Sequence, residues 1–316
     1  MKMPYKNPIK LGFAGTPMVA FNHFSHIKRN NDFSIDFVLT QAEKKIGRGQ
    51  KKSFESHFQS VKNLNLFKPE DLNNINFKKS IEGFDIDLLV VVAYGKIIPE
   101  WLLAHPKYGC MNVHYSNLPK WRGAAPIQRS IISGENKTGV SFMKLVSEMD
   151  AGPVYKNISY KYKNLTKAKL ENELTKLSLK NIDTVIKDIV LNNSKPVSQR
   201  EDEVTFAPKI NRNEGLIDWH LSGEKIYNMF LAFSDWPQLY FEFKGQVVKA
   251  LDIELTSRKN GPAGTISEFN NKDFIVNCKD SSIKIIKLQF PGKKAIDAKD
   301  FFNAKRAIIS VGDILV

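Results

Sequence analysis

The chain of 316 residues is long enough for about two domains, and a hydrophobic content of 42% is sufficient for each to bury a core. No apolar run approaches the roughly 18 residues of a membrane span, and residues 1–10 carry no export or transit signal, which favours a cytoplasmic protein. The formal net charge of +14 favours a polyanionic partner, with a lysine-rich composition that merely reflects genome bias as the alternative.

The first part of the chain alternates strand-like and helix-like segments. Short apolar runs predict strands, and apolar positions recurring every three to four residues predict helices. In chain order we predict a strand at 9–14, a helix at 17–29 capped by Thr16, a strand at 34–40, a polar loop at 41–52, a helix at 53–64, a strand at 87–93, a helix at 99–104, a strand at 109–113, a helix at 124–132, strands at 139–145 and 154–160, and a helix at 166–191. This alternation is typical of a Rossmann-like, doubly wound, mostly parallel sheet.

The pattern changes after residue 191, where the chain becomes polar and contains Pro196. One helix at 224–232 is then followed by short strands at 240–243, 247–251, 274–277 and 283–288. Short strands separated by Gly, Asn and Asp are typical of a small β-barrel. We therefore predict an N-terminal domain at 1–195, a linker at 196–207 and a C-terminal domain at 208–316.

The positive charge is unevenly distributed along the chain. Residues 207–316 carry 16 Lys and Arg against 13 Asp and Glu, whereas the remaining residues carry 31 against 20. Two cationic clusters stand out, consisting of Lys44, Lys45, Arg48, Lys51 and Lys52, and of Lys156, Lys161, Lys163, Lys167 and Lys169. Such clustering is harder to ascribe to composition than dispersed charge.

Cys110 and Cys278 lie far apart in apolar runs, so we expect buried free thiols.

The segment that begins at Met111 carries the best candidate chemistry. Asn112 and His114 are two residues apart on a predicted strand, so they share a face at its carboxyl end, where open α/β sheets bind ligands. An asparagine amide can donate to a developing oxyanion, and a histidine can exchange a proton near pH 7. The alternatives are an asparagine that caps a strand end and a histidine that is satisfied in the core.

Other residues are weaker candidates. Asp150, in a turn before Gly152, is able to orient His114, although Asp is also common in turns for local hydrogen bonding. His23 and His26 have helical spacing, but no third ligand at metal-site spacing accompanies them, so a solvated helix face is favoured over a metal site. The sequence contains neither a nucleophile elbow nor a Walker loop.

These residues resemble a known signature. Asn112 and His114, followed by Leu118-Pro119 and by Asp150 with Gly152, resemble the active-site motif of the folate-dependent formyltransferases. The string LPKWRGAAPIQ at 118–128 is similar to the methionyl-tRNA formyltransferase family within this superfamily. Further similarity lies at residues 13–17, 47–49, 91–95, 217–219, 236–237 and 292–294. The sequence departs from the usual pattern at Tyr115, Asn117 and Met18, where Gly, Leu and an acidic residue are usual.

The resemblance implies transfer of the formyl group of 10-formyltetrahydrofolate to the α-amine of methionine on initiator tRNA, without a metal. It implies that Asn112 and His114 hold the oxyanion, that His114 protonates the leaving nitrogen, and that Asp150 fixes the imidazole. The implied folate site consists of Tyr94, Gly95, Ser116, Asn117, Leu118 and Pro119. The implied tRNA surface consists of Lys44, Lys45, Arg48, Lys51 and Lys52 with an OB-like C-terminal barrel. We expect a monomer, because tRNA should need both domains free.

Two other functions remain open at this point. A formyltransferase acting on a nucleotide-linked amino sugar shares the Asn–His–Asp core but needs no basic loop. An inactive RNA-binding relative would keep the fold, although the intact triad speaks against it. A NAD(P) enzyme is disfavoured, since no Gly-rich dinucleotide loop with a later acidic residue is present.

Overall fold

A computed structural model describes residues 7–42, 45–46, 51–52, 57–61, 63–258, 260–305 and 309–315, and for residues 45, 46, 51, 52, 59, 60 and 305 it describes the backbone alone. The chain forms two compact units. The first comprises Met1–Gly123, Gly139–Tyr160 and Glu173–Phe206, and the second comprises Ala124–Thr138, Lys161–Asn172 and Ala207–Val316. The domain limits proposed from the sequence, at residues 195 and 208, stay a prediction.

The elements up to residue 190 follow the predicted alternation. In chain order they are β1 (Ile9–Gly15), α1 (Met18–Lys28), β2 (Phe33–Leu39), β3 (Lys45–Ile46), β4 (Lys51–Lys52), β5 (Leu66–Phe67), α2 (Ile75–Glu82), β6 (Leu88–Val92), α3 (Glu100–Ala104), β7 (Cys110–His114), α4 (Pro126–Ser133), β8 (Lys137–Lys144), β9 (Val154–Lys161) and α5 (Lys167–Val190). Among the described residues, seven strands form one sheet in the order β5-β2-β1-β6-β7-β8-β9. The fold class predicted for this part, a Rossmann-like and mostly parallel sheet, is confirmed.

The register of this sheet brings the carboxyl ends of its central strands to one edge. β1 pairs in parallel with β2 and β6, and β6 pairs in parallel with β7, with Val91 opposite Asn112. β7 pairs with β8 in antiparallel fashion, with His114 opposite Ser141. All of β6 is buried, as expected for a parallel strand that is covered on both faces. The candidate residues Asn112 and His114 therefore lie at the end of a rigid central strand.

The rest of the second unit is built on antiparallel strands. Its elements after residue 207 are α6 (Gly223–Ala232), β10 (Leu239–Phe243), β11 (Gln246–Thr256), β12 (Ile266–Phe269), β13 (Phe274–Asn277), β14 (Ser282–Gln289), β15 (Ile296–Asp297) and α7 (Ala298–Lys305). Within the described part, the strands pair in the order β10-β11-β14-β13-β12, and β15 also pairs with β14. The predicted C-terminal β domain, a helix followed by short strands, is thus confirmed.

Some local predictions are wrong. Thr16 does not cap α1: its hydroxyl donates to the carbonyl of Tyr94 (3.2 Å) and accepts from the amide of Gln41 (3.3 Å), so contacts between strand ends replace the helix cap. Where the structure describes the predicted helix at 53–64, it has only a 3₁₀ turn at His57–Ser60. Helices α2 and α7 were not predicted. The expectation of buried free thiols is confirmed for Cys110 and Cys278.

The residues that the structure describes contain neither a membrane-spanning helix nor a cluster of metal ligands. None of the helices described there combines the length and apolar character that crossing a bilayer requires. In the same residues there is no group of three or more His, Cys, Asp or Glu side chains able to hold a metal ion.

Candidate active site

The candidate site begins on β7, which alternates between two faces of the sheet. Asn112 is half-buried and His114 is 6% exposed, and strand periodicity places both side chains on one face. Across the described residues, no hydrogen bond engages the side-chain amide of Asn112. An amide that is partly accessible and not used by the fold is available to a ligand.

His114 is fixed by two contacts. Its Nε2 lies 2.9 Å from the carbonyl oxygen of Trp121, and its Nδ1 lies 3.7 Å from Oδ2 of Asp150. A carbonyl oxygen can only accept, so the hydrogen-bond network assigns a proton to Nε2. Nδ1 is therefore the nitrogen that is left to exchange a proton, and it faces the carboxylate. The structure thus brings His114 and Asp150 together, as the sequence predicted.

Asp150 is held in an unusual backbone conformation. Its φ is +52°, in the left-handed region, and Trp121 has φ +66°. Oδ2 of Asp150 accepts a hydrogen bond from the amide of Gly123 (2.8 Å). Non-glycine residues in this region cost about 1–3 kcal/mol each and cluster at functional sites. Residues 121–123 therefore hold both side chains, His114 through the carbonyl of Trp121 and Asp150 through the amide of Gly123.

Gly152 is required by close backbone approach. A Cβ atom at this position would lie 1.8 Å from the carbonyl oxygen of Lys144. No side chain could be accommodated without moving β8. The Asp150–Gly152 turn thus packs directly against the end of that strand, which explains why the aspartate is followed by glycine two residues later.

The predicted folate loop, Ser116 to Pro119, is anchored from beneath. Oγ of Ser141 donates to the carbonyl of Ser116 (2.5 Å), accepts from the amide of Leu118 (3.0 Å) and contacts Oδ1 of Asn157. Asn157 in turn donates to the carbonyl of Leu118 (2.9 Å). Ser116 and Leu118 are buried and Pro119 is half-buried. The loop is therefore rigid, and Leu118 and Ser116 shape it from within.

Asn117, one of the departures from the family pattern, is directed toward the neighbouring strands. Its Oδ1 accepts from Oγ of Ser159 (3.4 Å) and would lie 2.1 Å from a Cβ atom at Gly139. The glycine on β8 makes room for this side chain. Replacement of the usual leucine by asparagine is thus accommodated by the sheet.

The other predicted folate residues, Tyr94 and Gly95, follow β6. The ring of Tyr94 is buried in a hydrophobic cluster that includes Phe37 and Leu102, and burial raises the pKa of its hydroxyl to about 12. Its carbonyl accepts from Nε2 of Gln41 (2.6 Å). Gly95 is exposed with φ +75°. At this strand end, the backbone of the segment and not the tyrosine ring is accessible to a ligand.

Residues 199–205 make contacts at the site that the sequence did not predict. Nε2 of Gln199 donates to the carbonyls of Asp150 (2.8 Å) and Gly152 (2.7 Å), and its Oε1 accepts from Nε of Arg122 (3.0 Å). Arg122 is 3% exposed and also pairs with Glu201. Thr205 accepts from the amides of Trp121 and Arg122. The only available signal was the conspicuous Arg122 in the RGAAP string, because polarity alone made residues 196–207 resemble a linker.

The predicted tRNA-contacting side chains lie outside the part of the chain whose side chains the structure describes. Lys44 and Arg48 lie outside the described residues. Lys45, Lys51 and Lys52 are described by their backbone alone, which forms the short antiparallel pair β3–β4. Their role stays a prediction.

One of the two histidines of α1 does not lie on a solvated helix face. His23 is fully buried, so that interpretation is wrong for His23, whereas His26 is half-buried, with its Nε2 3.2 Å from Oδ1 of Asp183. Nδ1 of His23 lies 2.7 Å from the carbonyl of Val19, and Nε2 lies 2.6 Å from Oγ of Ser178. Burial, more than the neighbouring His26, lowers the pKa of His23 to about 4.

Comparison with known proteins adds an independent line of evidence. The family model described as Formyl transferase matches residues 10–186, and the model described as Formyl transferase, C-terminal domain matches residues 209–306. The chain is 36% identical over 313 residues to the methionyl-tRNA formyltransferase of Buchnera aphidicola subsp. Acyrthosiphon pisum (strain Tuc7), covering 97% of this chain and 99% of the relative. It is 37% identical over 314 residues to that of Caldicellulosiruptor saccharolyticus, covering 96% and 98%.

Solved structures share the fold at lower identity. The crystal structure of HypX from Aquifex aeolicus in complex with tetrahydrofolic acid superimposes with a TM-score of 0.65 and 14% sequence identity. The match covers 98% of this chain and 51% of HypX, so the chain spans about half the length of that protein. At this identity the likeness concerns the fold alone.

Proposed function

The chain belongs to the formyl transferase family, with methionyl-tRNA formyltransferases among its relatives, and from this premise we propose that it formylates methionine carried by initiator tRNA, using 10-formyltetrahydrofolate. One structural observation supports the proposal most: Nδ1 of His114 and Oδ2 of Asp150 are 3.7 Å apart, on the face of β7 that also carries the unengaged amide of Asn112. The two-domain division at residues 195 and 208, and a monomeric state, are parts of the proposal.

The reaction joins the methionine nitrogen to the formyl carbon and breaks the bond between that carbon and N10 of the folate. A proton leaves the attacking amine, and N10 takes one up. Asn112 donates to the formyl oxygen as negative charge develops there, which is a role worth roughly 10²–10³ in rate. Nδ1 of His114, which carries no proton in the neutral ring because Nε2 donates to the carbonyl of Trp121, takes the proton that leaves the amine and passes it to N10. Asp150 orients that nitrogen and is itself oriented by the amide of Gly123.

The residues around the site fit a folate in specific ways. The exposed backbone of Gly95 offers polar groups suited to the hydrogen-bonding edge of a pterin. The Ser116–Pro119 loop would contribute its shape, because the carbonyls of Ser116 and Leu118 and the amide of Leu118 are engaged by Ser141 and Asn157. The ring of Tyr94 is committed to the core, so this residue would contribute through its backbone. Asn117 would contribute little through its side chain, which contacts Ser159.

For the tRNA we propose the basic loop, Lys44, Lys45, Arg48, Lys51 and Lys52, together with the C-terminal all-β domain. The net charge of +14 and its concentration outside residues 207–316 support a polyanionic substrate. An amino-sugar nucleotide, the rival substrate, carries few phosphates and would not require such a charge.

The direct test is a formylation assay with 10-formyltetrahydrofolate and either methionine-charged initiator tRNA or a nucleotide-linked amino sugar. We expect formyl transfer to the charged tRNA and none to the sugar. Transfer to the sugar alone would overturn the proposed substrate. Absence of transfer to either acceptor, with a folded protein, would favour the inactive RNA-binding relative.

The basic loop has a test of its own. Arg48→Ala should lower kcat/KM for charged tRNA roughly tenfold and reduce the salt slope of tRNA binding by about one unit, while KM for the folate stays the same. Lys79→Ala, which removes one cation from the exposed face of α2, serves as the matched control. An unchanged slope with normal formylation in Arg48→Ala would remove the loop from the tRNA surface.

A further inference from the structure

Gln199 occupies a central place in the contacts that hold the Asp150 turn. Its amide nitrogen donates to two carbonyls of that turn, those of Asp150 (2.8 Å) and Gly152 (2.7 Å). Its amide oxygen accepts from Nε of Arg122 (3.0 Å). The orientation of the amide is unambiguous, because carbonyls require a donor and a guanidinium requires an acceptor. One side chain thus uses both ends of its amide on the site.

Arg122 links this amide to the loop that holds His114. The guanidinium is 3% exposed and is satisfied by Gln199 and by Glu201 (Nη2 to Oε1, 2.7 Å). The residue before Arg122 provides the carbonyl that accepts from His114, and the residue after it provides the amide that donates to Asp150. These contacts therefore connect His114, the loop around Arg122, Gln199 and Asp150 into one network.

We propose that Gln199 is a positioning residue for catalysis, acting through Asp150; this rests on the proposed formyl transfer. Asp150 has φ +52°, a left-handed conformation that aspartate tolerates better than most non-glycine residues but that still gains from contacts that hold it. Gln199 supplies that support by binding a carbonyl at each end of the turn. It thereby fixes Oδ2 of Asp150 relative to Nδ1 of His114. Gln199 itself need not touch either substrate.

The variant Gln199→Glu tests the donor role. Glutamate keeps the shape and can still accept from Arg122, but it cannot donate to the two carbonyls. We expect kcat for formyl transfer to fall about tenfold or more, with KM for both substrates nearly unchanged, because a displaced catalytic group affects the chemical step. Gln199→Met, which removes the donors without adding charge, should lose kcat to a similar extent.

The matched control is Asn65→Asp. Nδ2 of Asn65 donates to the carbonyl of Asp36 (2.8 Å) near the start of β5, so the same amide-to-acid change is made in the same unit, away from β7. This variant should retain the wild-type kcat. Equal losses of kcat in Gln199→Glu and Asn65→Asp would overturn the positioning role.

A double-variant cycle separates positioning from general destabilisation. If Gln199 acts through Asp150, then Gln199→Glu in an Asp150→Asn background should cause less than about a twofold further loss of kcat. Independent, multiplying losses would refute the proposal, because a loss of stability alone does not depend on Asp150.

A readout that does not need turnover keeps this proposal distinct from the proposed function. Hydrogen exchange at the amide of Gly123, which donates to Asp150, should accelerate about fivefold or more in Gln199→Glu and not in Asn65→Asp. Unchanged exchange would overturn the positioning role whatever the activity. If the wild-type protein shows no formyl transfer but exchange at Gly123 accelerates in Gln199→Glu, the contact network is upheld and the proposed function is overturned.

Discussion

Two buried histidines of the first unit, His23 and His114, have opposite surroundings. Both are at most 6% exposed, and in each a ring nitrogen lies within 3 Å of a backbone carbonyl. In His23 the other nitrogen contacts the hydroxyl of Ser178. In His114 the other nitrogen faces the carboxylate of Asp150 at 3.7 Å, and the hydrogen bonds of the described residues do not engage it. Burial is common to both, and the partner of the second nitrogen distinguishes them.

The difference shows which buried histidine can take part in chemistry. In His23 the Nδ1 proton is donated to the carbonyl of Val19, and Nε2 contacts the hydroxyl of Ser178, which also lies within hydrogen-bond distance of the carbonyl of Thr175, so both ring nitrogens have a neutral partner. Protonation would bury a positive charge that contacts only a carbonyl and a hydroxyl, which agrees with a pKa lowered by burial to about 4. His114 has a committed nitrogen and a second one beside a carboxylate, an arrangement suited to proton exchange.

The largest expected effect concerns the pair at the active site. His114→Asn and Asp150→Asn should each lower kcat at least about 10²-fold, and the double variant should lose much less than the product of the two. The reason is that Asp150 acts by orienting His114. The measurement is single-turnover formyl transfer. Losses that multiply would mean that the two residues act independently.

Asn112→Ala should lower kcat by on the order of 10², with only a modest change in KM, because an oxyanion donor acts mainly in the transition state. Steady-state kinetics with charged tRNA and the folate separate the two constants. A change in KM alone would assign Asn112 to substrate binding instead.

The third prediction concerns stability at low pH and the other histidine. The unfolded chain binds a proton at His23 near pH 6.5, whereas the folded state does so only near pH 4. The free energy of unfolding should therefore fall as the pH drops from 6.5 to 4, by about 3 kcal/mol from this residue, and the full contribution is present above pH 6.5. The free energy of unfolding, measured by denaturant titration at several pH values, should depend less steeply on pH in His23→Asn than in the wild type. Identical slopes in the two proteins would refute this account.

The smallest expected effect concerns Tyr115, whose hydroxyl lies 2.9 Å from Oγ1 of Thr175 and 3.5 Å from Ser178. Tyr115→Phe should reduce the free energy of unfolding by about 1 kcal/mol and leave kcat unchanged, because the hydroxyl serves the same buried network as His23. A loss of kcat without a loss of stability would move Tyr115 from the structural network to the active site.

The sequence predicted those features that depend on local periodicity. The buried run of β6 and the shared face of Asn112 and His114 follow from strand geometry, and both predictions hold. Thr16 was assigned as a helix cap because of its residue type, but contacts with Tyr94 and Gln41, distant in sequence, determine its position. A local sequence pattern does not show that contacts with residues distant in sequence replace a helix cap.

Part of the site was not predictable for the same reason. Gln199 lies in a polar stretch with no periodicity, and its function in the structure comes from three partners that are 47 to 77 positions away. The burial of Arg122 is equally non-local. His23 was assigned to a solvated face because helical spacing alone does not reveal that α5 places Ser178 against it.

The contrast between the two histidines is tested most directly by making the same substitution at both. Single-turnover formyl transfer should be measured for wild type, His114→Asn and His23→Asn, per folded molecule by circular dichroism, with His23→Gln used if His23→Asn does not fold. The account predicts that His114→Asn folds with near-normal stability and loses at least about 10²-fold in rate. It predicts that the His23 variant is destabilised and retains the wild-type rate. Comparable rate losses at both positions, or a normal rate in His114→Asn, would contradict the account.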